Sequence, residues 1–412
     1  MPPKNFHVRQ AAVSALHAWA HGHDYAETLV ERHAHRRQLS APDRGLLQAI
    51  LLGVLRNRRL LDHWITKLRD GKLDPDTRDI IRVGLCQLFI LGLPDHAAVH
   101  ETVEVGKANV RGLINAVLRR SITQKDQLME AANTLPPAVA LSHPDWMYNR
   151  WKTLFGKADT AALMKWNNHP AETFSRINPL RSGNPEIDGT PVEGAPGFFK
   201  MNGPLPTSLL ASGHVYIQDP ATRHSVDLLD PQPGEHILDA CAAPGGKAFL
   251  IASKLGSSET LACTDSNEKR LPRLRENLER LGCSSATISL HDWTQPAPEA
   301  WHGKYHAILL DVPCSNTGVI RRRVDVRWRL QPDHIKALVR TQRSILENAL
   351  PCLKPGGRLI YSTCSIEADE NERQIEAFLA DHPELKLTGT RQALPFRDGT
   401  DGAYAARLEI SA

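Results

Sequence analysis

From about residue 216, five short apolar or β-rich runs alternate with helical segments, and this alternation constrains the fold more than any other feature. The runs are HILDAC, TLACTDS, TISLHDW, YHAILLDVP and GRLIYSTCS, and between several of them lie KAFLIASKL, NEKRLPRLRENLERLG and HIKALVRTQRSILENALPCL. Strands that alternate with helices in this way build βαβ units and a mostly parallel, doubly wound sheet. Ligands of such a sheet bind beyond the carboxyl ends of its strands. Every candidate for chemistry in this region lies at or just beyond such an end.

Upstream the pattern is different. Residues 1–135 read as nearly all helix. Ser40-Ala-Pro-Asp43 has the form of a capping box, with Leu46, Leu47, Ile50, Leu51, Val54 and Leu55 following at helical spacing. Asp74-Pro75 opens another helix, with the proline in the first turn where its missing N–H costs nothing. Such stripes can be buried only against one another, so a compact all-α bundle is expected. A boundary is expected near Asn133-Thr-Leu-Pro-Pro137, then a small α+β connecting subdomain over 136–215 rich in glycine and proline, then the sheet domain over 216–412.

The first strand-to-helix turn reads Asp239-Ala-Cys-Ala-Ala-Pro-Gly-Gly-Lys247. Gly245 and Gly246 let backbone approach a ligand. The loop lacks the spacing of a dinucleotide fingerprint, and Lys247 is followed by Ala248 rather than the Ser or Thr of a P-loop, which disfavours a pyrophosphate cradle. Asp265 closes the next strand, where a carboxylate can accept from ribose hydroxyls, and Asp292 closes the third, with Trp293 beside it at a possible adenine edge. Together these point to a nucleoside cofactor without phosphates, such as S-adenosylmethionine. Strand-end aspartates also cap helices, the bland alternative for both.

Two cysteines follow the fourth and fifth runs: Cys314 in ILLDVPCSNTG and Cys364 in RLIYSTCSIEADENE. A lone strand-end cysteine is usually a small core residue. Two in polar settings of Ser, Thr and Asn suggest reactive thiols. Pyrimidine C5 is too weak a nucleophile to take a methyl group unaided, whereas thiolate addition at C6 produces an enamine that can. Asp311, just upstream of Cys314, is suited to hydrogen-bonding a base edge. Next to Cys314 runs GVIRRRVDVRWRL, in which Arg321, Arg322, Arg323 and Arg327 beside Trp328 read as phosphate contacts and a stacking surface for an unpaired base. A solvated charged face is the alternative. Single-stranded or loop RNA is favoured, because a base must leave its stack to meet a thiol.

The whole chain carries a net charge of +4. Residues 1–130 hold 19 Lys and Arg against 14 Asp and Glu, so the excess is concentrated in the helical part, as a weak nucleic-acid surface would have it. The seven cysteines are odd in number and form no C-x-x-C pair, which speaks for reduced thiols and against a disulfide framework or zinc ribbon. The 19 histidines show no H-E-x-x-H or Cys/His cluster, so no metal is expected. No secretory signal is evident, and the most apolar stretch, IIRVGLCQLFILGL, is too short to span a membrane. A soluble cytoplasmic monomer without membrane contact is the expectation.

DACAAPGGK, DVPCSNTGVIRR and YSTCSIEADEN resemble the motifs of RNA cytosine-C5 methyltransferases. The helical third is similar to a NusB-like RNA-binding domain, and the pairing of the two, with SHPDW and NNHP between, resembles the bacterial RsmB (Fmu/Sun) family. That resemblance implies a Rossmann-like class I methyltransferase domain using S-adenosylmethionine on a cytosine of small-subunit (16S) ribosomal RNA. By motif position it implies Cys364 as nucleophile, Cys314 as the thiol assisting release, and Asp311 at the cytosine. It likewise implies a cofactor site of Cys241, Ala242, Ala243, Pro244, Gly245, Gly246, Lys247, Asp265, Asp292 and Asp311. The chain departs from the family at Ala248, at Arg323-Val324 of the basic loop and at His291. Action on transfer or other RNA is a neighbouring reading, and a DNA enzyme would carry its nucleophile at Cys314, against which Thr363-Cys364-Ser365 speaks. A non-catalytic RNA-binding factor is the reading from another class, and the intact set of Lys247, Asp265, Asp311 and both thiols opposes it.

Overall fold

The computed structural model describes residues 6–183 and 185–410. These form two compact units: one runs to His169 and includes Arg323–Arg329, and the other comprises Pro170–Arg322 and the chain from Leu330 onward. The outline differs from the three parts read from the sequence. The stretch expected to open a connecting subdomain is helical and belongs to the first unit.

In that unit α1 (Phe6–His21), α2 (Ala26–Arg36), α3 (Ala41–Leu68), α4 (Pro75–Leu85), α5 (Asp95–Val105) and α6 (Ala108–Thr123) pack around one core. Ser40 caps α3, its hydroxyl accepting from the Asp43 amide at 3.3 Å and donating to the Asp43 carboxylate at 2.7 Å. Asp74 caps α4 by accepting from the Thr77 amide at 2.9 Å. The α3 stripe of Leu47, Ile50, Leu51, Leu55 and Leu61 is buried, as are Ile81 and Leu85 of α4. A π-helical turn over Cys86–Ile90 follows α4. The unit ends in a longer helix, Asp145–Asn168, broken at Gly156 where φ is +80°.

The second unit begins with a small antiparallel sheet of β1 (Phe174–Ile177), β2 (Gly189–Pro191), β3 (Phe198–Met201) and β4 (Val215–Ile217), ordered β2-β3-β1-β4. The main sheet contains β5 (Ile237–Asp239), β6 (Leu261–Asp265), β7 (Thr287–Leu290), β8 (Tyr305–Asp311), β9 (Leu353–Thr363), β10 (Leu385–Ala393) and β11 (Ala403–Ile410). Their order is β10-β11-β9-β8-β5-β6-β7, with β5 to β9 parallel and the last two antiparallel. All five runs read as strands from the sequence are strands.

Alternate residues of the central strands feed two layers, as pleating requires. Ile237, Ala307, Leu309 and Ile360 pack with the helix Gly246–Leu255 on one face. Leu238, Ile308, Leu310, Leu359 and Tyr361 pack with the helices Pro332–Ala349 and Glu372–Asp381 on the other. Strand order reverses between β5 and β8, and the crevice beyond their carboxyl ends is where such a sheet takes ligands. No helix among the described residues is long and apolar enough to cross a membrane.

Candidate active site

Asp239 and Asp311 close the two strands at the reversal point, and the glycine loop springs from the first of them. Gly245, at φ +106°, precedes the helix Gly246–Leu255. A Cβ on Gly246 would fall 2.9 Å from Gln218 Nε2 and 3.0 Å from the Tyr216 ring, so a larger residue would have to push both side chains aside. The loop is pinned from several sides: the Ala242 amide donates to Thr264 O at 2.8 Å, and Asn277 Nδ2 donates to Pro244 O at 2.8 Å.

Lys247 Nζ lies 2.5 Å from Asp311 Oδ1. Burial works against the lysine's charge, but Asp311 foremost, then Cys364 and Asp239, raise its pKa above the ordinary value. Asp265 is almost fully buried; it accepts from the Ala243 amide at 3.3 Å and the Asn267 amide at 3.0 Å, and it pairs with Arg270. Three carboxylates therefore face two cations. The odd one is Asp239, which has no solvent exposure and whose two oxygens lack a well-formed hydrogen bond among the described residues. Burial first, then the Asp311 charge, push it up to about 7. Cys241 lies within this acidic basin, its thiol held far toward the neutral form by burial and by Asp311, Asp239 and Asp265. An orphaned buried carboxylate in a net-negative basin beside a backbone cradle fits a cationic cofactor, and S-adenosylmethionine carries a net positive charge.

Asp292 is exposed and caps a turn, accepting from the amide and hydroxyl of Thr294 at 2.9 and 2.8 Å. Trp293 does not present an adenine edge. It is buried, donates from Nε1 to Thr264 Oγ1 at 2.8 Å and packs against His291 and Trp301.

Cys314 and Cys364, fifty residues apart, meet with their sulfurs 3.3 Å apart because β8 and β9 are parallel neighbours. Cys364 Sγ is also 3.2 Å from Asn316 Oδ1, and Asn316 itself sits in the left-handed region at φ +58°. The contact with Cys364, then burial, drive the Cys314 pKa well above that of a free thiol. Cys314 is thus held as the neutral thiol, and either sulfur can donate to the other.

Glu370, fully buried, joins the two thiol loops. It accepts from the Ser315 amide at 2.8 Å and its hydroxyl, from Ser365 Oγ at 2.6 Å and from Gln342 Nε2 at 2.9 Å. Burial raises its pKa while these donors hold it down. Neither Glu370 nor Asn316 stood out in the sequence beyond general acidity, since their roles depend on contacts between distant loops. Lys247, Cys364, Val319, Asp401, Gly402 and Ala221 line one cavity.

The arginine run is not the RNA surface expected of it. Arg327 has no exposure; within the helical unit it donates to Arg56 O at 3.1 Å, Asn167 O at 2.8 Å and Asn168 Oδ1 at 2.6 Å. Burial lowers its pKa to about 9. Trp328 donates to Leu55 O at 2.8 Å and packs on the helical core instead of offering a stacking face. Arg321 is buried and donates twice to Pro170 O, at 2.9 and 2.7 Å, and Arg322 bridges Asp219 and Asp401. Of the residues expected to meet RNA, Arg323 is the exposed one. Among the described residues no group of three or more His, Cys, Asp or Glu is arranged to hold a metal.

Residues 226–409 match the family model for 16S rRNA methyltransferase RsmB/F, and residues 7–123 match the NusB family. The ribosomal RNA small subunit methyltransferase B of Vibrio cholerae is 38% identical over 97% of this chain and 97% of its own length. The chain belongs to the RsmB/F methyltransferase family. The enzyme of the same name from Photorhabdus laumondii is 36% identical over 90% of this chain and 92% of its own. Among solved structures, that of PH0851 aligns with a TM-score of 0.78 at 25% identity, covering 99% of both chains. A methyltransferase homolog protein from Pyrococcus horikoshii aligns with a TM-score of 0.56 at 26% identity, covering 66% of this chain and 97% of its own. As a member of this family the chain is an S-adenosylmethionine-dependent RNA methyltransferase.

Proposed function

We propose that the chain methylates C5 of a cytosine in 16S ribosomal RNA through a covalent adduct between Cys364 and C6. The observation that carries this reading is the 3.3 Å approach of Cys314 and Cys364 beside the Lys247–Asp311 pair at the sheet's reversal point. The names of the relatives support the substrate.

The loop from Cys241 to Lys247, with Asp265, Asp292 and Asp311, would hold S-adenosylmethionine, which would supply the methyl group. The Cys364 thiolate forms a C–S bond at C6, and charge building on N3 meets the Lys247–Asp311 pair, which can share a proton with it. The resulting enamine makes C5 nucleophilic. Once C5 carries the methyl group, solvent in the open site takes the C5 proton and the electron pair of that C–H bond re-forms the C5=C6 double bond. The C6–S bond breaks, returning Cys364 as thiolate and the N3 proton to the Lys247–Asp311 pair. Cys314 sits against the departing sulfur and assists that elimination. Thiolate addition activates the carbon, so the chemistry calls for no metal. The helical unit, with the chain's positive excess and its match to the NusB family, supplies RNA affinity. A cytoplasmic monomer acting on ribosomal RNA is the setting that fits.

The test is methyl transfer from labelled cofactor to 16S RNA, naked and in partly assembled subunits, with transfer RNA as control, followed by digestion to nucleosides. Label recovered as 5-methylcytidine at one 16S position is expected. Label in another nucleoside, or none in any RNA, overturns the proposal.

A further inference from the structure

Arg322 ends the segment that carries Cys314, and its guanidinium engages two carboxylates from distant parts of the chain. Nε donates to Asp401 Oδ2 at 2.5 Å and a terminal nitrogen donates to Asp219 Oδ2 at 3.0 Å. Asp219 closes the network by accepting the Ala221 amide at 2.9 Å and the Asp401 amide at 3.2 Å. Both carboxylates are nearly enclosed, with 8% and 7% exposure for Asp219 and Asp401.

The triad is stitched to the nucleophile through backbone. The Gly402 amide donates to Gly318 O at 2.8 Å, and the Gly318 amide donates to Cys364 O at 3.0 Å. There is no slack in this seam. A Cβ on Gly318 would fall 2.6 Å from Cys364 O, and one on Gly402 would fall 2.6 Å from Gly318 Cα. Asp401, Gly402 and Ala221, which the triad holds, line the same cavity as Cys364 and Lys247.

Two buried carboxylates on one guanidinium are a poor choice for stability alone. The second brings a further charge into the interior, offset in part by neighbouring Arg321, where an apolar contact would hold the loops at lower cost. Burial and the Asp219 charge accordingly push Asp401 up to about 7. A bidentate fork gripping two loops does fix their mutual geometry, which a lysine cannot do.

We propose that Asp219, Arg322 and Asp401 are positioning residues that hold the cavity wall against Cys364, so that a bound cytosine meets the sulfur in attacking geometry. The proposal rests on Cys364 being the nucleophile. It makes Arg322 part of the reaction's alignment and not an RNA-phosphate contact.

Arg322→Lys, Asp219→Asn and Asp401→Asn are tested in the full-length enzyme carrying Cys314→Ala, by single-turnover adduct formation at saturating RNA and cofactor. RNA affinity, melting temperature and the rate of Cys364 alkylation by iodoacetamide are read in parallel. Adduct formation slower by about 30-fold or more is expected, with RNA affinity within about 3-fold of the parent, because misplacement of reacting atoms acts on rate. Alkylation of Cys364 should change by about 5-fold in the same variants. Folded variants that form adduct at the parental rate overturn the proposal. So does an Arg322→Lys protein that loses RNA affinity about 10-fold yet reacts normally at saturation. Should Arg322→Lys fail to fold, the two asparagine variants carry the test. If the parent forms no adduct, the cytosine reading fails separately; altered alkylation of Cys364 then still supports positioning, and unaltered alkylation refutes it.

Discussion

The thiol loops and the arginine segment are neighbours in sequence and opposite in use. From Asp311 to Cys314 the chain brings a carboxylate and a thiol to the carboxyl ends of the central strands, beside Lys247 and Cys364. From Arg323 to Arg329 it belongs to the helical unit, where Arg327 and Trp328 satisfy helix carbonyls and Asp325 accepts from Trp19 Nε1 at 2.5 Å and the Ala26 amide at 3.0 Å. A thiol at a parallel strand's carboxyl end has its position set by the sheet. A cationic run says nothing of where its charges are spent. Reactive-group placement was the firmer signal, and charge density the weaker.

Removing the proposed nucleophile should have the largest effect. Cys364→Ala is expected to lower methyl transfer by at least about 10³-fold in a single-turnover assay, because no other group opens the pyrimidine ring to attack. Arg327→Ala should act on the fold: stripping a guanidinium from a buried set of carbonyls should cost about 3–5 kcal/mol in urea denaturation. The salt dependence of RNA binding by its folded fraction should stay unchanged, and a lowered slope would return Arg327 to the RNA surface.

Asp239 sharpens the contrast on the cofactor side. Its folded-state pKa of about 7 lies above the ordinary 3.8, so between those values the folded chain keeps a proton that the unfolded chain has lost. Stability therefore falls as pH rises through that window and levels off above it. Asp239→Asn should stabilise the protein at pH 8 by up to about 4 kcal/mol and give little gain near pH 4. An equal gain at both would contradict the assignment. The smallest effect belongs to exposed Arg323: Arg323→Ala should leave stability within about 0.5 kcal/mol and lower the log-log salt slope of RNA binding by about 1.

Much of the architecture was legible because buried parallel strands are nearly continuous apolar runs, as in β5, β8 and the second half of β9, while the edge strand β7 is largely exposed and is marked by its place in the strand–helix alternation. The pair β10 and β11 went unread: on β10 Lys386, Leu387 and Thr388 are all exposed, and the run LKLTGTRQA has little apolar character. The capping signals at Ser40 and Asp74 were local and therefore readable. Pro136-Pro137 reads as a boundary in the sequence, yet the helix Asp145–Asn168 beyond it belongs to the helical unit, with Met147, Trp151, Leu163 and Met164 buried. Glu370 and the Asp219–Arg322–Asp401 triad join residues as far apart as 182 positions, and no local pattern announces such a pairing.

The most direct test compares wild type, Cys314→Ala and Cys364→Ala after incubation with 16S RNA and cofactor, on a denaturing gel that resolves protein–RNA adducts. The account predicts a denaturation-resistant adduct in Cys314→Ala and none in Cys364→Ala, since Cys364 forms the bond and Cys314 helps to break it. An adduct in Cys364→Ala that disappears in Cys314→Ala would reverse the two roles and contradict the account.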